Sequence, residues 1–161
     1  MRLISIDPGY DRFGFAVIDK DIKGNQHLIF SGCIETNKKD SFEERLYQIG
    51  SELENIIKRH KPTALAIETL FFNTNQKTAM NVSQTRGMVL YIGKKFGLDL
   101  FEYTPLQIKV AITGYGRSNK DQIISMIPRL IKISGKIKYD DEWDAIAVGL
   151  TCFAHERFNY Q

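Results

Sequence analysis

The chain opens MRLISIDPGYDRFGFAVID, residues 1–19, two apolar runs flanking a Pro-Gly turn. Leu3 to Ile6 is an apolar run of strand character, and Asp7 closes it directly before Pro8-Gly9. Phe13 to Asp19 is a second such run, so the two form a hairpin with an acid at the end of its first strand. A carboxylate at the end of a buried strand is costly unless a positive group compensates it. The rest of the chain has to supply what compensates Asp7.

Gly24-Asn25 separates the hairpin from a third apolar segment, so strands are expected at 2–7, 13–19 and 27–36, joined as an antiparallel meander. The apolar period then changes. Phe42, Leu46, Ile49, Leu53, Ile56 and Ile57 share one face of a helix, and Ser41 with Glu44 forms its capping box. TALAIE, residues 63–68, is a short, wholly apolar strand closed by Glu68, the pattern of a central parallel position covered on both faces. A helix is expected from about Thr74 to Lys95, a strand in GLDLFEY and a short helix from Pro105. Ser118, with Asp121 as partner, can cap a further helix running through Leu130. The last helix, expected from about Glu142, is apolar almost all round (DAIAVGLTCFA) and so belongs against a sheet. Three antiparallel strands followed by right-handed crossovers give an α/β fold: a mixed five-stranded sheet with helices on both faces.

The 161 residues, 43% hydrophobic and 25% charged, suit one soluble domain over 1–161. No apolar run is long enough for a bilayer, and the N-terminus lacks a signal peptide's charged-then-apolar layout. Cys33 and Cys152 have no CxxC spacing and no nearby histidine, which fits a reduced cytoplasmic setting without structural zinc. His27, His60 and His155 are too dispersed for a site, and Trp143 suits packing.

Asp7 and Glu68 repeat one pattern, an acid closing an apolar strand. If those strands are parallel neighbours, both carboxylates emerge at the carboxyl edge, where ligand sites of open α/β sheets gather. Asp141 and Asp144, three apart, share a face at the start of the last helix. Each acid alone has an ordinary explanation, in turn formation or in complementing the helix dipole. Four together do not. Two like charges about 4 Å apart repel by roughly 4 kcal/mol at an effective dielectric of 20. A hard divalent cation such as Mg²⁺ relieves this, because it prefers oxygen ligands and keeps waters for a phosphate. Two such ions could hold both the attacking and the leaving oxygen of a phosphodiester. The formal charge of +3 hints only weakly at a polyanionic partner. With those four acids set aside, however, 22 basic residues face 15 acidic ones, a net +7 around an acidic pit. That distribution suits a nuclease.

IDPGYDRFGFAVID, AIETLFF, YTPLQIK with GYGRSNK, and DEWDAIAVGLT resemble, in order and across nearly the whole chain, the motifs of the RuvC family of Holliday junction resolvases. The resemblance implies a ribonuclease H-like fold and a homodimeric endonuclease that makes paired symmetric nicks in four-way junction DNA, in homologous recombination and DNA repair. It implies Mg²⁺ as cofactor, two ions per site with Mn²⁺ as a substitute. A branch-migration motor is a further partner compatible with it. The implied metal ligands are Asp7, Glu68, Asp141 and Asp144; Asp140 and Glu142 flank Asp141, and only the motif register selects among them. Asp11 is a weaker rival, better explained by turn chemistry. Lys109 and Lys120 are implied as active-site basic residues and Phe71 as a base-stacking ring. Phe72 is its neighbour, one of the pair facing inward by strand alternation. Arg117 and Lys120 also bring positive charge to a helix start suited to phosphate. Lys136 and Lys138 lie less specifically along a DNA path. Two other functions share these features: a nuclease for RNA paired with DNA, and a junction-binding protein without cleavage.

Overall fold

The computed structural model describes residues 1–69 and 76–156. The elements follow the expected order: β1 (Arg2–Asp7), β2 (Arg12–Lys20), β3 (Gln26–Glu35), α1 (Phe42–His60), β4 (Ala64–Glu68), α2 (Gln76–Lys95), β5 (Asp99–Tyr103), α3 (Pro105–Thr113), α4 (Lys120–Leu130) and α5 (Asp140–His155). The sheet order is β3-β2-β1-β4-β5. β1 to β3 pair antiparallel, whereas β4 pairs parallel with β1 and with β5.

Strand alternation divides the core in two. Ile4, Ile6, Phe13, Phe15, Val17, Leu65 and Ile67 pack with Ile49 and Leu53 of α1 and Val89 and Ile92 of α2. Leu3, Ala16, Ile18, Ala64 and Ala66 face the other way, against α3, α4 and α5. Helices therefore cover both faces. On the second face Ala16, Ala64, Ala66 and Ser5 stand among the larger side chains, and Gly149 lets α5 pack closely against the sheet there. A Cβ added at Gly149 of α5 would come within 2.7 Å of Ile18 and 2.8 Å of the Ser5 hydroxyl.

Helix termini follow local chemistry, with two corrections to the sequence reading. α1 has the expected Ser41–Glu44 capping box. α4 is capped by Asn119 with Gln122, not by Ser118 with Asp121. Ser118 is 2% exposed, and its hydroxyl bonds Tyr115 O at 2.7 Å and Thr113 Oγ1 at 2.6 Å. It closes the turn behind the helix and is not free to cap it. α5 begins at Asp140 and not at Glu142, so all three consecutive acids lie in its first turn. The expected helix start at Thr74 lies outside the described residues.

Candidate active site

Parity places the first two acids. In β1, Leu3 and Ser5 face α5, so Asp7 does too; in β4, Ala64 and Ala66 do, so Glu68 follows. Ile6 pairs with Ile67 in the parallel register, which makes Asp7 and Glu68 neighbours one step further on. Both stand at the carboxyl edge on the face that α5 covers.

The second pair arrives on α5 because β2 leaves room for it. Gly14 lies opposite Asp7 in the hairpin, and a Cβ there would sit 2.1 Å from the Asp141 carbonyl oxygen. Only glycine allows the first turn of α5 to approach Asp7 this closely. Glu142, between the two aspartates, is buried and anchors the turn. Its Oε1 accepts from the backbone N–H groups of Lys138 and Tyr139, and its Oε2 accepts from the Ser31 hydroxyl at 2.6 Å. Asp141 and Asp144, three apart, are thereby held beside the strand acids.

The electrostatics of the group record its closeness. Burial pushes the Asp7 carboxyl up to about 8, and the carboxylates of Asp144, Glu68 and Asp141 push it the same way. Glu68 is raised to about 7, again by burial first and then by Asp144, with Lys109 opposing. Asp144 is raised by burial, against the pull of Lys120. Among the described residues, no salt bridge reaches Asp7 or Glu68. The outer acids differ. Lys120 Nζ donates to Asp144 Oδ2 at 2.8 Å and lies 3.5 Å from Asp140, while Arg12 Nε is 3.2 Å from Asp141 Oδ2.

The flanking residues sort themselves around this cluster. A cleft of about 300 Å³ is lined by Glu68, Lys109, Ser118, Asn119, Lys120 and Asp144 among others, so both expected lysines border the acids. Arg117 is exposed on the loop before α4. Asp140 is largely exposed and is absent from the groups acting on Asp7, whereas Asp141 is among them. Asp11 stands apart, paired with Arg45 and, at 3.7 Å, with Lys38. Phe71 and Phe72 lie outside the described residues. Lys138 sits over the Tyr139 ring, 4.6 Å from its centroid. Cys33, opposite Gly14 in the sheet, is no nucleophile: burial, then Asp141 and Glu35, push its thiol up to about 12. Arg12 is the member of the neighbourhood that sequence reasoning missed. Its contact spans 129 positions, and no local signal marks it.

The family model described as crossover junction endodeoxyribonuclease RuvC matches residues 3–152. The chain belongs to the RuvC family. Among similar curated sequences, the RuvC of Fusobacterium nucleatum is 42% identical over 94% of this chain and 79% of its own length. That of Petrotoga mobilis is 42% identical over 98% and 94%. The solved RuvC of Thermus thermophilus superposes with a TM-score of 0.87 at 26% identity, covering 96% of this chain and 95% of that one. A second Thermus thermophilus RuvC structure, in complex with Holliday junction substrate, shares the fold at a TM-score of 0.85 and 23% identity, over 96% and 94% of the two chains. The ribonuclease H-like architecture expected from the sequence is the fold of this RuvC-family chain.

The donors suit the divalent cation on which nucleases of this family depend. All four are hard carboxylates, and Asp141 Oδ2 is buried without a well-aligned hydrogen bond despite the nearby guanidinium. The four acids share one face and one edge, but among the described residues no three ligating side chains are already closed into a finished metal cage.

In the metal-free protein the raised carboxyls have a thermodynamic consequence. Asp7 and Glu68 bind protons more tightly in the folded chain than in the unfolded one. Their contribution to stability is therefore greatest below the ordinary carboxylate range and falls as pH rises towards 7–8. Thermal unfolding in chelator should show this loss, on the order of 1–3 kcal/mol between about pH 5 and pH 8. Excess Mg²⁺ should reduce it. A metal-free protein that becomes more stable over that interval contradicts the assigned environment of the two acids.

Proposed function

We propose that this RuvC-family chain resolves Holliday junctions by metal-dependent hydrolysis of two opposed phosphodiesters. The observation that carries the reading is the convergence, on one sheet face and one edge, of Asp7 and Glu68 from parallel strand ends with Asp141 and Asp144 from α5. Asp7, Glu68, Asp141 and Asp144 are the residues that would hold divalent metal, with Mg²⁺ the proposed ion, two per site, and Mn²⁺ its substitute. Bound there, it would supply Lewis acidity and neutralise charge on the phosphate oxygens. Lys120 and Lys109, both lining the cleft, are the proposed groups for offsetting phosphate charge in the transition state. Arg117 and the start of α4 hold the backbone nearby. Phe71 is the proposed ring that stacks on an unpaired base, a contact worth about 1–3 kcal/mol, with Phe72 beside it.

A twofold-symmetric substrate cut at two opposed points calls for two sites related by the same symmetry. The proposed assembly is a homodimer through α2, whose outward ridge carries Met80, Ser83, Gly87 and Tyr91. Met80 and Tyr91 are 61% and 69% exposed, and a Cβ at Gly87 would meet nothing within 4 Å. Sedimentation at micromolar concentration should show a dimer; a monomer alone would count against both the ridge and the paired cuts. The chain has no helix, among its described residues, long and apolar enough to cross a membrane. The proposal is completed by one nuclease domain over 1–161, a cytoplasmic setting, and a branch-migration motor as an additional partner.

Labelled four-way junction, duplex and RNA–DNA hybrid, each incubated with and without Mg²⁺, test the function. Symmetric Mg²⁺-dependent nicks in the junction alone are expected. Preferential hybrid cleavage would reassign the substrate, and junction binding without cleavage would leave a binding protein.

A further inference from the structure

The acids on α5 and those on the strands are compensated differently. Asp144 bonds Lys120, and Asp141 is approached by Arg12, whereas Asp7 and Glu68 have no salt bridge among the described residues. Arg12 opens β2 and pairs in register with Glu35, the partner a cross-strand guanidinium would ordinarily take. Glu35 instead accepts from the Tyr139 hydroxyl, and the neighbouring Asp11 is occupied by Arg45 and Lys38. The Arg12 guanidinium is left to turn to Asp141.

The contact has the geometry of one that can be exchanged. The Arg12 side chain is 52% exposed and lines an open cleft of about 580 Å³ with Gly9, Thr36 and Lys38, whereas the Asp141 side chain is only 16% exposed. Arg12 Nε lies 3.2 Å from Oδ2 but makes no aligned hydrogen bond to it, so it contributes charge more than direction. Solvent is ready to receive the guanidinium if a stronger cation takes its place.

We propose that Arg12 is an exchangeable counter-cation of Asp141, lying against that carboxylate until a divalent ion displaces it. The inference rests on the reading of the four acids as a metal centre. Arg12 is thus a positioning residue that sets the metal concentration at which the site fills. A rigid structural clamp and an exchangeable counter-cation predict opposite effects of its removal. Losing a clamp disorders a ligand and weakens metal binding; losing a competitor removes a like charge and strengthens it.

Titrating the DNA-free protein with Mn²⁺, with free ion followed by electron paramagnetic resonance, separates the two. Arg12→Gln should bind Mn²⁺ on the order of three- to tenfold more tightly than wild type, the scale of removing one partly solvated charge from beside a dication. The gain should shrink as ionic strength rises. Arg12→Lys, which retains the charge, should stay nearer wild type. Unchanged or weaker binding by a folded Arg12→Gln overturns the proposal. A measurement on the wild type covers the case of a variant that fails to fold. The Arg12 Nε–H resonance should shift with the midpoint of Mg²⁺ binding, and a resonance unmoved through saturation overturns the proposal equally. Wild type that binds no Mn²⁺ would instead remove the metal-centre reading itself, and the inference with it.

Discussion

Asp7→Asn is expected to abolish junction cleavage, lowering the single-turnover rate by about a thousandfold or more, while junction binding stays within a few-fold of wild type. Asp7 is where the electrostatics of the site meet, acted on by Asp144, Glu68 and Asp141 together. The amide keeps its size and removes the charge that attracts a metal. The variant should also be the more stable protein in chelator near pH 8, because it deletes a carboxylate that is costly to ionise there. That combination, activity lost and metal-free stability gained, is characteristic of a site that strains the fold for function. Persistent Mg²⁺-dependent nicking by Asp7→Asn would rule out its role.

Lys120→Ala and Lys109→Ala should each lower turnover by roughly a hundredfold with little change in junction binding. Lys120 is at the first position of α4, where the Asn119 cap directs it over the cleft to Asp144, 2.8 Å away. Burial works against its charge, yet the Asp144 hydrogen bond leaves its pKa raised, so it is cationic at any pH the enzyme would meet. Lys109 lines the same cleft and favours the ionised form of Glu68. A lysine that only neutralised a distant phosphate would instead weaken binding to all DNA and lower the salt slope by about 0.9 per contact. Single-turnover rates at saturating protein, measured beside a salt titration of binding, distinguish the two. Wild-type rates once bound would make both lysines ordinary surface charge.

Much of this arrangement was legible in the sequence because it rests on local periodicity. LISID and LAIE are short apolar runs each closed by an acid, which places Asp7 and Glu68 at one carboxyl edge; that both also face α5 follows from the strand register, which the sequence reading did not use. The apolar all-round character of α5 announced its burial against the sheet. What was misread turned on competition between similar local signals. Ser118 and Asn119 are both good caps, and the choice fell to Asn119 because the turn behind it had already engaged the Ser118 hydroxyl. The start of α5 was misjudged because three consecutive acids all suit a first turn. The approach of Gly14 to Asp141 and of Arg12 to the same residue was not legible at all. Both contacts join residues more than a hundred positions apart, through a crossover that places α5 over β2. The glycine reads only as a weak point in a strand until its neighbour is known.

The claim on which the rest depends is that the four acids form one metal centre. Anomalous diffraction from a crystal soaked in Mn²⁺ tests it most directly. Density is expected between the carboxylates of Asp7, Glu68, Asp141 and Asp144, with Lys120 and Arg12 withdrawn from Asp144 and Asp141. Manganese bound elsewhere, or none at saturating concentration with both ion pairs intact, would contradict it.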